Sequence, residues 1–250
     1  MEMAGNGVIY QPTDEDRAAY AGMSVVIVTP CGSYANPFRF TRSVTNLIVY
    51  SWQQGLKVDA FGGTERMVVH WARNELATQA RDKICERTGK NYTHILWLDD
   101  DHTFNPDMLC YLARDPSKDI VSALYFGRQQ HLPVAYVKDK NPSRYSHYPL
   151  IWPPATICEV DAVGFGACLM RRDVLERMPD PWFAFTPEVG EDIYFCTHAK
   201  ERGIKIWLEG RYSLGHIGDP EIIGRAQYEK YVKDNEVRFG PKIKVALGGQ

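Results

Sequence analysis

Four consecutive residues, Asp99-Asp100-Asp101-His102, close an apolar run, Ile95-Leu96-Trp97-Leu98. Adjacent carboxylates repel one another, so folding alone gives no reason to cluster three of them. A divalent cation relieves that repulsion, and hard oxygen ligands at this spacing suit Mg2+ or Mn2+. An acidic, solvated turn after a strand is the plain alternative. A second acidic pair, Glu191-Asp192, follows Gly190 and opens a helical pattern (Ile193, Cys196, Ala199) that Gly203 ends. The helix dipole favours ionised carboxylates there, and an ionised carboxylate beside a substrate hydroxyl can act as general base. An ordinary acidic first turn has the same pattern. Farther on, His216 lies in Leu214-Gly215-His216-Ile217-Gly218, where flanking glycines let backbone approach a ligand closely. Imidazole suits Mn2+, so His216 can complete a site begun by Asp101; a hydrogen-bonded structural histidine is the competing reading.

These residues need elements to hold them. The β-branched run Val25–Val28 reads as a central strand, with Thr29-Pro30-Cys31-Gly32-Ser33 as the loop at its carboxyl end. A helix is expected from about residue 37 to 54, closed by Gly55, then a strand over 58–61 broken by Gly62-Gly63. Val69, Ala72, Leu76, Ala80 and Ile84 recur at close to helical spacing, and Gly89 is a suitable stop. The strand ending in the acids comes next. Asn105-Pro106-Asp107 then reads as N-cap, first-turn proline and first-turn acid of a short helix through Ala113. A further strand spans 119–125. Strand and helix thus alternate over the first ~125 residues, the signature of a mostly parallel sheet that binds ligands outside its carboxyl edge.

Beyond that point the rhythm changes. Residues 126–158 are rich in Pro, Tyr, Arg and His, with Trp152-Pro153-Pro154 among them, and imply strands or a long surface loop. The apolar stretch Val160–Met170 carries Gly164 and Gly166, spaced for close approach. A helix over about 172–178 and a strand over 204–208 follow.

At 250 residues the chain can form one large α/β domain or two small ones. A net charge of −2 excludes a global field that would draw in nucleic acid or an anionic membrane. No apolar stretch reaches the ~20 residues that span a bilayer, and the polar, acidic Met1–Tyr20 is neither signal peptide nor anchor, so no membrane insertion and a cytoplasmic protein are expected. Six scattered cysteines without a C-x-x-C pair imply reduced thiols, since neither zinc sites nor disulfide frameworks have this spacing. Tyr228, Lys230, Tyr231, Lys233, Arg238, Lys242 and Lys244 mix aromatics with bases, as a nucleic-acid groove does, or as an amphipathic helix with a frayed end does.

The order Asp99-x-Asp101, Gly164-x-Gly166, Glu191-Asp192, His216 resembles the GT-A glycosyltransferases, particularly their family 2-like branch, from about Ser24 to Gly218. The resemblance implies an α/β, Rossmann-like GT-A fold: a mostly parallel central sheet flanked by helices, with a smaller acceptor-binding half. Residues 1–22 would be a loosely ordered lead-in and 23–220 a single catalytic domain, with its nucleotide-binding half at about 23–125 and its acceptor half at 126–220. Residues 221–250 would form a C-terminal helix and tail. By the same resemblance Thr29, Pro30, Arg73 and Asn74 hold the nucleoside and diphosphate. Asp99 contacts the ribose or the metal shell, with Asp100 beside it on the donor side. Asp101 binds Mn2+ or Mg2+ and His216 is a further ligand. Asp192 is the catalytic base with Glu191 next to it, and Gly164, Gly166 and Trp182 stand on the acceptor side. The implied reaction moves a sugar from a nucleotide-diphosphate sugar, UDP-sugar first and GDP-sugar second, to an acceptor hydroxyl with inversion. A saccharide or a hydroxymethylated DNA base would be the acceptor, the latter as for virus-encoded, anchorless members working in a host cytoplasm.

Two rival readings remain at this stage. Asp99-x-Asp101-x-Thr103 also fits the nucleophile motif of haloacid-dehalogenase-type phosphatases. There, however, the motif follows the first strand rather than about the third, and Gly218-Asp219-Pro220-Glu221 lacks the second downstream Asp. A non-catalytic nucleotide-sugar-binding module would lack part of the chemistry, yet Asp99, Asp101, Asp192 and His216 are all present.

Overall fold

The computed structural model describes residues 8–32, 38–138, 145–218 and 222–235. In chain order the first elements are α1 (Asp14–Tyr20), β1 (Ser24–Cys31), α2 (Phe38–Gln53), β2 (Lys57–Glu65), α3 (Val69–Asp82), β3 (Ile84–Cys85) and β4 (Lys90–Asn91). The middle holds β5 (His94–Leu98), β6 (His102–Thr103), α4 (Met108–Leu112), β7 (Ile120–Leu124), β8 (Ala135–Lys138), β9 (His147–Pro149) and β10 (Ile157–Val160). Then come β11 (Ala162–Val163), β12 (Ala167–Arg171), α5 (Asp173–Glu176), α6 (Glu191–Glu201), β13 (Ile206–Ser213), β14 (Gly215–Ile217), β15 (Ile222–Ile223) and α7 (Arg225–Asp234).

Continuous apolar runs make strands buried on both faces. In β1, Val25 and Ile27 enter one core while Val26 and Val28 enter the other. In β5, Leu96 and Leu98 divide in the same way from Ile95 and Trp97, as the two-residue strand period requires. Helices α2 and α4 cover one face, and α3, α5, α6 and α7 cover the other. The central sheet has seven strands in the order β10-β13-β7-β12-β5-β1-β2. Strands β1, β2, β5, β7 and β13 share a direction, whereas β12 and β10 run against them. The carboxyl ends of β1, β5, β7 and β13 therefore share one edge with the amino end of β12. Two three-stranded sheets, β15-β14-β6 and β11-β8-β9, accompany it.

The structure departs from several expectations. The described part of the lead-in, residues 8–22, is docked rather than loose: Thr13 and Asp16 form a capping box on α1, and the buried Tyr20 hydroxyl donates to the Cys110 carbonyl at 2.9 Å. Strand β1 continues through Thr29, Pro30 and Cys31, so its loop begins at Gly32, and residues 33–37 lie outside the described residues. Strand β2 runs through Gly62-Gly63 because both pair in register with β1. Helix α3 stops at Asp82 and leaves Ile84 exposed on β3. Helix α2 ends as expected, with Gly55 at φ +86°, a conformation that L side chains avoid. Tyr228 stacks on Phe126 in the core, so it is no open base platform; Arg238, Lys242 and Lys244 lie outside the described residues. All six cysteines are buried free thiols. Among the described residues no helix is long and apolar enough to cross a membrane.

Candidate active site

Strand β5 delivers Asp99, Asp100 and Asp101 to the shared edge, where the Asp99 amide donates to the Gly166 carbonyl at 3.1 Å. The chain then turns into β6, which pairs with β14 so that His102 faces His216 in register. The Ile217 amide locks this arrangement by donating to the Asp101 carbonyl at 2.7 Å. Ligand atoms of Asp101, His102 and His216 consequently lie within 4.8 Å of one another.

The geometry of that cluster fits a cation. His216 Nε2 is 3.1 Å from Asp101 Oδ2, and His102 Nδ1 is 2.9 Å from Asp101 Oδ1 without hydrogen-bond alignment. The imidazole rings stack at 4.4 Å and 15°. His216 Nδ1 donates to the Phe126 carbonyl at 2.9 Å. In a neutral ring this leaves the Nε2 lone pair facing a carboxylate oxygen, an unfavourable pairing that a cation between them relieves. Asp101 Oδ1 and both His102 nitrogens are buried without a hydrogen-bond partner, the kind of orphaned set that calls for an ion. One carboxylate with imidazoles suits Mn2+ better than Mg2+. Burial pushes the Asp101 carboxyl up; His102 and His216 outweigh it and hold the group well below the usual range when their facing nitrogens carry protons, the place a bound cation would take. Arg128 adds a guanidinium 3.4 Å from Asp101 Oδ2.

The Gly-x-Gly pair makes room for this cluster. A Cβ on Gly166 would fall 2.7 Å from His102 Cε1 and 2.9 Å from Tyr125 Cζ, and one on Gly164 would overlap the Tyr125 hydroxyl. The Gly166 amide donates to Tyr125 Oη at 3.3 Å. These glycines therefore make room for the Tyr125 and His102 side chains of this chain itself.

Arg73, on α3 and 3% exposed, joins the two acidic segments. Its Nη2 donates to Asp99 Oδ1 and Oδ2 at 3.0 and 3.2 Å, and its Nε donates to Glu191 Oε1 at 3.2 Å. The guanidinium thus clamps the end of β5 to the start of α6, with its Nη1 left without a hydrogen-bond partner. Next to that clamp, Asp192 accepts from the Ile193 amide at 2.7 Å. Burial, then the charge of Glu191, raises its carboxyl to about 6 against the pull of Arg73. Asp100 is also raised, by burial and by Asp101, and its Oδ2 has no hydrogen-bond partner.

Of the remaining expected residues, Thr29, Pro30 and Trp182 are buried and Asn74 is half-buried. Thr29 and Pro30 are buried within β1, and Thr29 Oγ1 has no hydrogen-bond partner. Both amide protons of Asn74 are engaged by the His70 and Phe183 carbonyls, while its oxygen accepts from the Phe183 amide. Asn74 therefore positions the segment that leads to α6. Trp182 is a core residue, 2% exposed, whose indole N–H donates to the Leu175 and Met178 carbonyls at 3.0 and 3.3 Å. Sequence reasoning passed over His102, Tyr125 and Arg128. A histidine directly after the acids was the one visible signal; the other two become neighbours of the site only through β7 and the turn after it.

No protein-family model matches the sequence, and no curated protein matches it either. Solved structures do. A197 from STIV aligns at 19% identity and a TM-score of 0.52, over 81% of this chain and 94% of that one. GalNAc-T7, in a structure with UDP, GalNAc and Mn2+, aligns at 13% identity and a TM-score of 0.50, over 86% of this chain. The alignment covers 48% of GalNAc-T7, so this chain spans about half of it. At such identities the likeness is one of fold, and the fold is GT-A.

Proposed function

We propose that this chain is a glycosyltransferase that moves a sugar from a nucleotide-diphosphate donor to an acceptor hydroxyl. The observation that carries the reading is the convergence of an Asp101–His102–His216 cluster and a half-buried, raised Asp192 on one edge of a GT-A sheet, where Arg73 ties their neighbours Asp99 and Glu191 together. Asp101 and His216, with His102, would hold Mn2+ or Mg2+, which when bound neutralises charge on a leaving diphosphate. Asp192 takes the proton from the acceptor hydroxyl as its oxygen attacks the anomeric carbon. The bond from that carbon to the diphosphate oxygen breaks, and the diphosphate leaves with the electron pair. One base suffices, because the leaving group needs no protonation, in contrast to glycoside hydrolysis. Direct displacement of this kind inverts the anomeric centre. Glu191 and Arg73 position the base, and Asp99 and Asp100 face the donor side.

UDP-sugar is the first donor to test, on the strength of the GalNAc-T7 structure with UDP and Mn2+, and GDP-sugar is the second. The Asp-x-Asp-x-Thr phosphatase reading finds no support, since both Asp99 oxygens are engaged by Arg73. Thermal melting with UDP, GDP, dTDP, ADP and CMP, each with Mn2+ or with chelator, tests the proposal. A ligand at a hundred times its Kd adds about 2.7 kcal/mol, a shift of several degrees. One nucleotide should raise Tm with Mn2+, and chelator or Asp101→Ala should abolish the effect. No shift with any nucleotide overturns the reading.

A further inference from the structure

Large apolar side chains are exposed beside the base. Trp71 is 61% exposed and Phe185 51%, with Met67 and Val68 on the same approach to α3. His70 links the two aromatics, its ring 5.3 Å from that of Trp71 and 5.0 Å from that of Phe185. Phe185 reaches the catalytic side directly. A Cβ on Gly190 would lie 3.6 Å from Phe185 Cε1 and 3.3 Å from Asp192 Oδ1, so ring edge and base flank the same backbone position. Of the other exposed large apolar residues described, Phe38, Val49 and Trp52 lie on α2, Ile84 on β3, Tyr148 on β9 and Val8 ahead of α1.

We infer that Trp71 and Phe185 form the acceptor platform, and that the acceptor is a neutral saccharide. This rests on the glycosyltransferase reading above and narrows its substrate class. A pyranose has an apolar C–H face and a rim of hydroxyls. The face gains dispersion contact and loses hydrated apolar surface against an aromatic ring, while the rim stays polar and can present one hydroxyl to Asp192. Nucleobases also stack on aromatics, but DNA requires Lys or Arg to neutralise its phosphates. The segments that carry the platform, 65–71 and 183–192, hold Glu65, Glu188, Glu191 and Asp192 against Arg66, with the adjoining Arg73 committed to Glu191 and Asp99. That balance repels a polyanion and is indifferent to a neutral sugar.

The test uses the full chain with fluorotryptophan in place of tryptophan, followed by 19F NMR. The Trp71 resonance is assigned by its loss in Trp71→Phe. Methyl β-galactoside, methyl β-glucoside, methyl α-mannoside and an oligothymidylate are titrated with and without UDP and Mn2+. At least one glycoside should move the Trp71 resonance saturably and the oligothymidylate should not. Phe185→Ala should weaken that binding at least tenfold, and Phe185→Tyr should retain it. A response to the oligothymidylate alone, or to no probe, overturns the platform. If a UDP-dependent rise in Tm survives such a failure, only the acceptor inference falls. If a glycoside binds while no nucleotide does, the platform stands and the transferase reading falls.

Discussion

Gly166 stands so close to His102 that any side chain there would strike it, with a Cβ 2.7 Å from His102 Cε1. His102 has no other place to go: it is 1% exposed, stacked on His216 and packed edge-on against Tyr125. Gly166→Ala must therefore shift His102 or Tyr125 and disturb the Asp101–His216 pairing. Outer-shell changes of this kind lower metal affinity by about 10–100-fold, and overpacking costs about 1–3 kcal/mol. Titration of free Mn2+ by electron paramagnetic resonance checks the first figure and urea denaturation the second. Wild-type Mn2+ affinity in Gly166→Ala would remove His102 from the cluster.

Arg73 satisfies two carboxylates from inside the protein, so its removal leaves both without their cation. Breaking a buried pair by deleting one partner costs about 3–5 kcal/mol, and Arg73→Ala should lose stability in that range by urea denaturation. Arg73→Lys keeps the charge but not the planar fork that reaches Asp99 and Glu191 together. It should recover part of the stability while leaving turnover depressed. A loss below about 1 kcal/mol in Arg73→Ala would match an ordinary surface ion pair instead.

Much of the fold was legible because its strands are continuous apolar runs and its helices have clear stops. Leu98-Asp99 marked the end of β5, and Gly55 and Gly203 marked the ends of α2 and α6. Local propensity failed where pairing overrode it. Gly62-Gly63 reads as a break but continues β2 beside β1, and Thr29-Pro30 reads as a loop but is strand. In the candidate site, the approach of His216 to Asp101 was legible from type and order. The contacts of Gly164, Gly166 and Asn74 were not, because each depends on a side chain or carbonyl remote in sequence: Tyr125, His102 and Phe183. A spacing pattern shows that backbone comes close to something; it does not show to what.

Asp192 holds its proton up to about pH 6, so the free-base form needed for proton abstraction prevails above that pH. With a nucleotide sugar as donor, kcat should fall as pH drops through about 6. General bases contribute about 10²–10⁴-fold. Asp192→Asn should thus lower kcat by about a hundredfold or more while leaving the Mn2+-dependent nucleotide shift in Tm unchanged. Transfer at the wild-type rate by Asp192→Asn would move the base elsewhere.

The same burial makes Asp192 a stability cost at neutral pH, and its sign opposes that of another buried group. Asp192 binds a proton more tightly in the fold than unfolded, so its contribution falls as pH rises from about 4 to about 6. His94 does the reverse: burial lowers it to about 4, with only the Pro116 carbonyl favouring its charged form among its hydrogen bonds. Unfolded His94 takes up a proton below its ordinary value of 6.5 while the folded residue does not, so stability is lost as pH falls from 6.5 to about 4. Each one-proton difference changes stability by about 1.4 kcal/mol per pH unit, so the wild-type profile between pH 4 and 6 is flattened by their near cancellation. Urea denaturation across this window separates them by slope. His94→Gln should tilt the profile toward greater stability in acid. Asp192→Asn should tilt it the other way and be the more stable protein at pH 7, by roughly 1–3 kcal/mol. Equal slopes in the two variants would contradict both assignments, because a group that titrates alike in the folded and unfolded chain contributes no pH dependence at all.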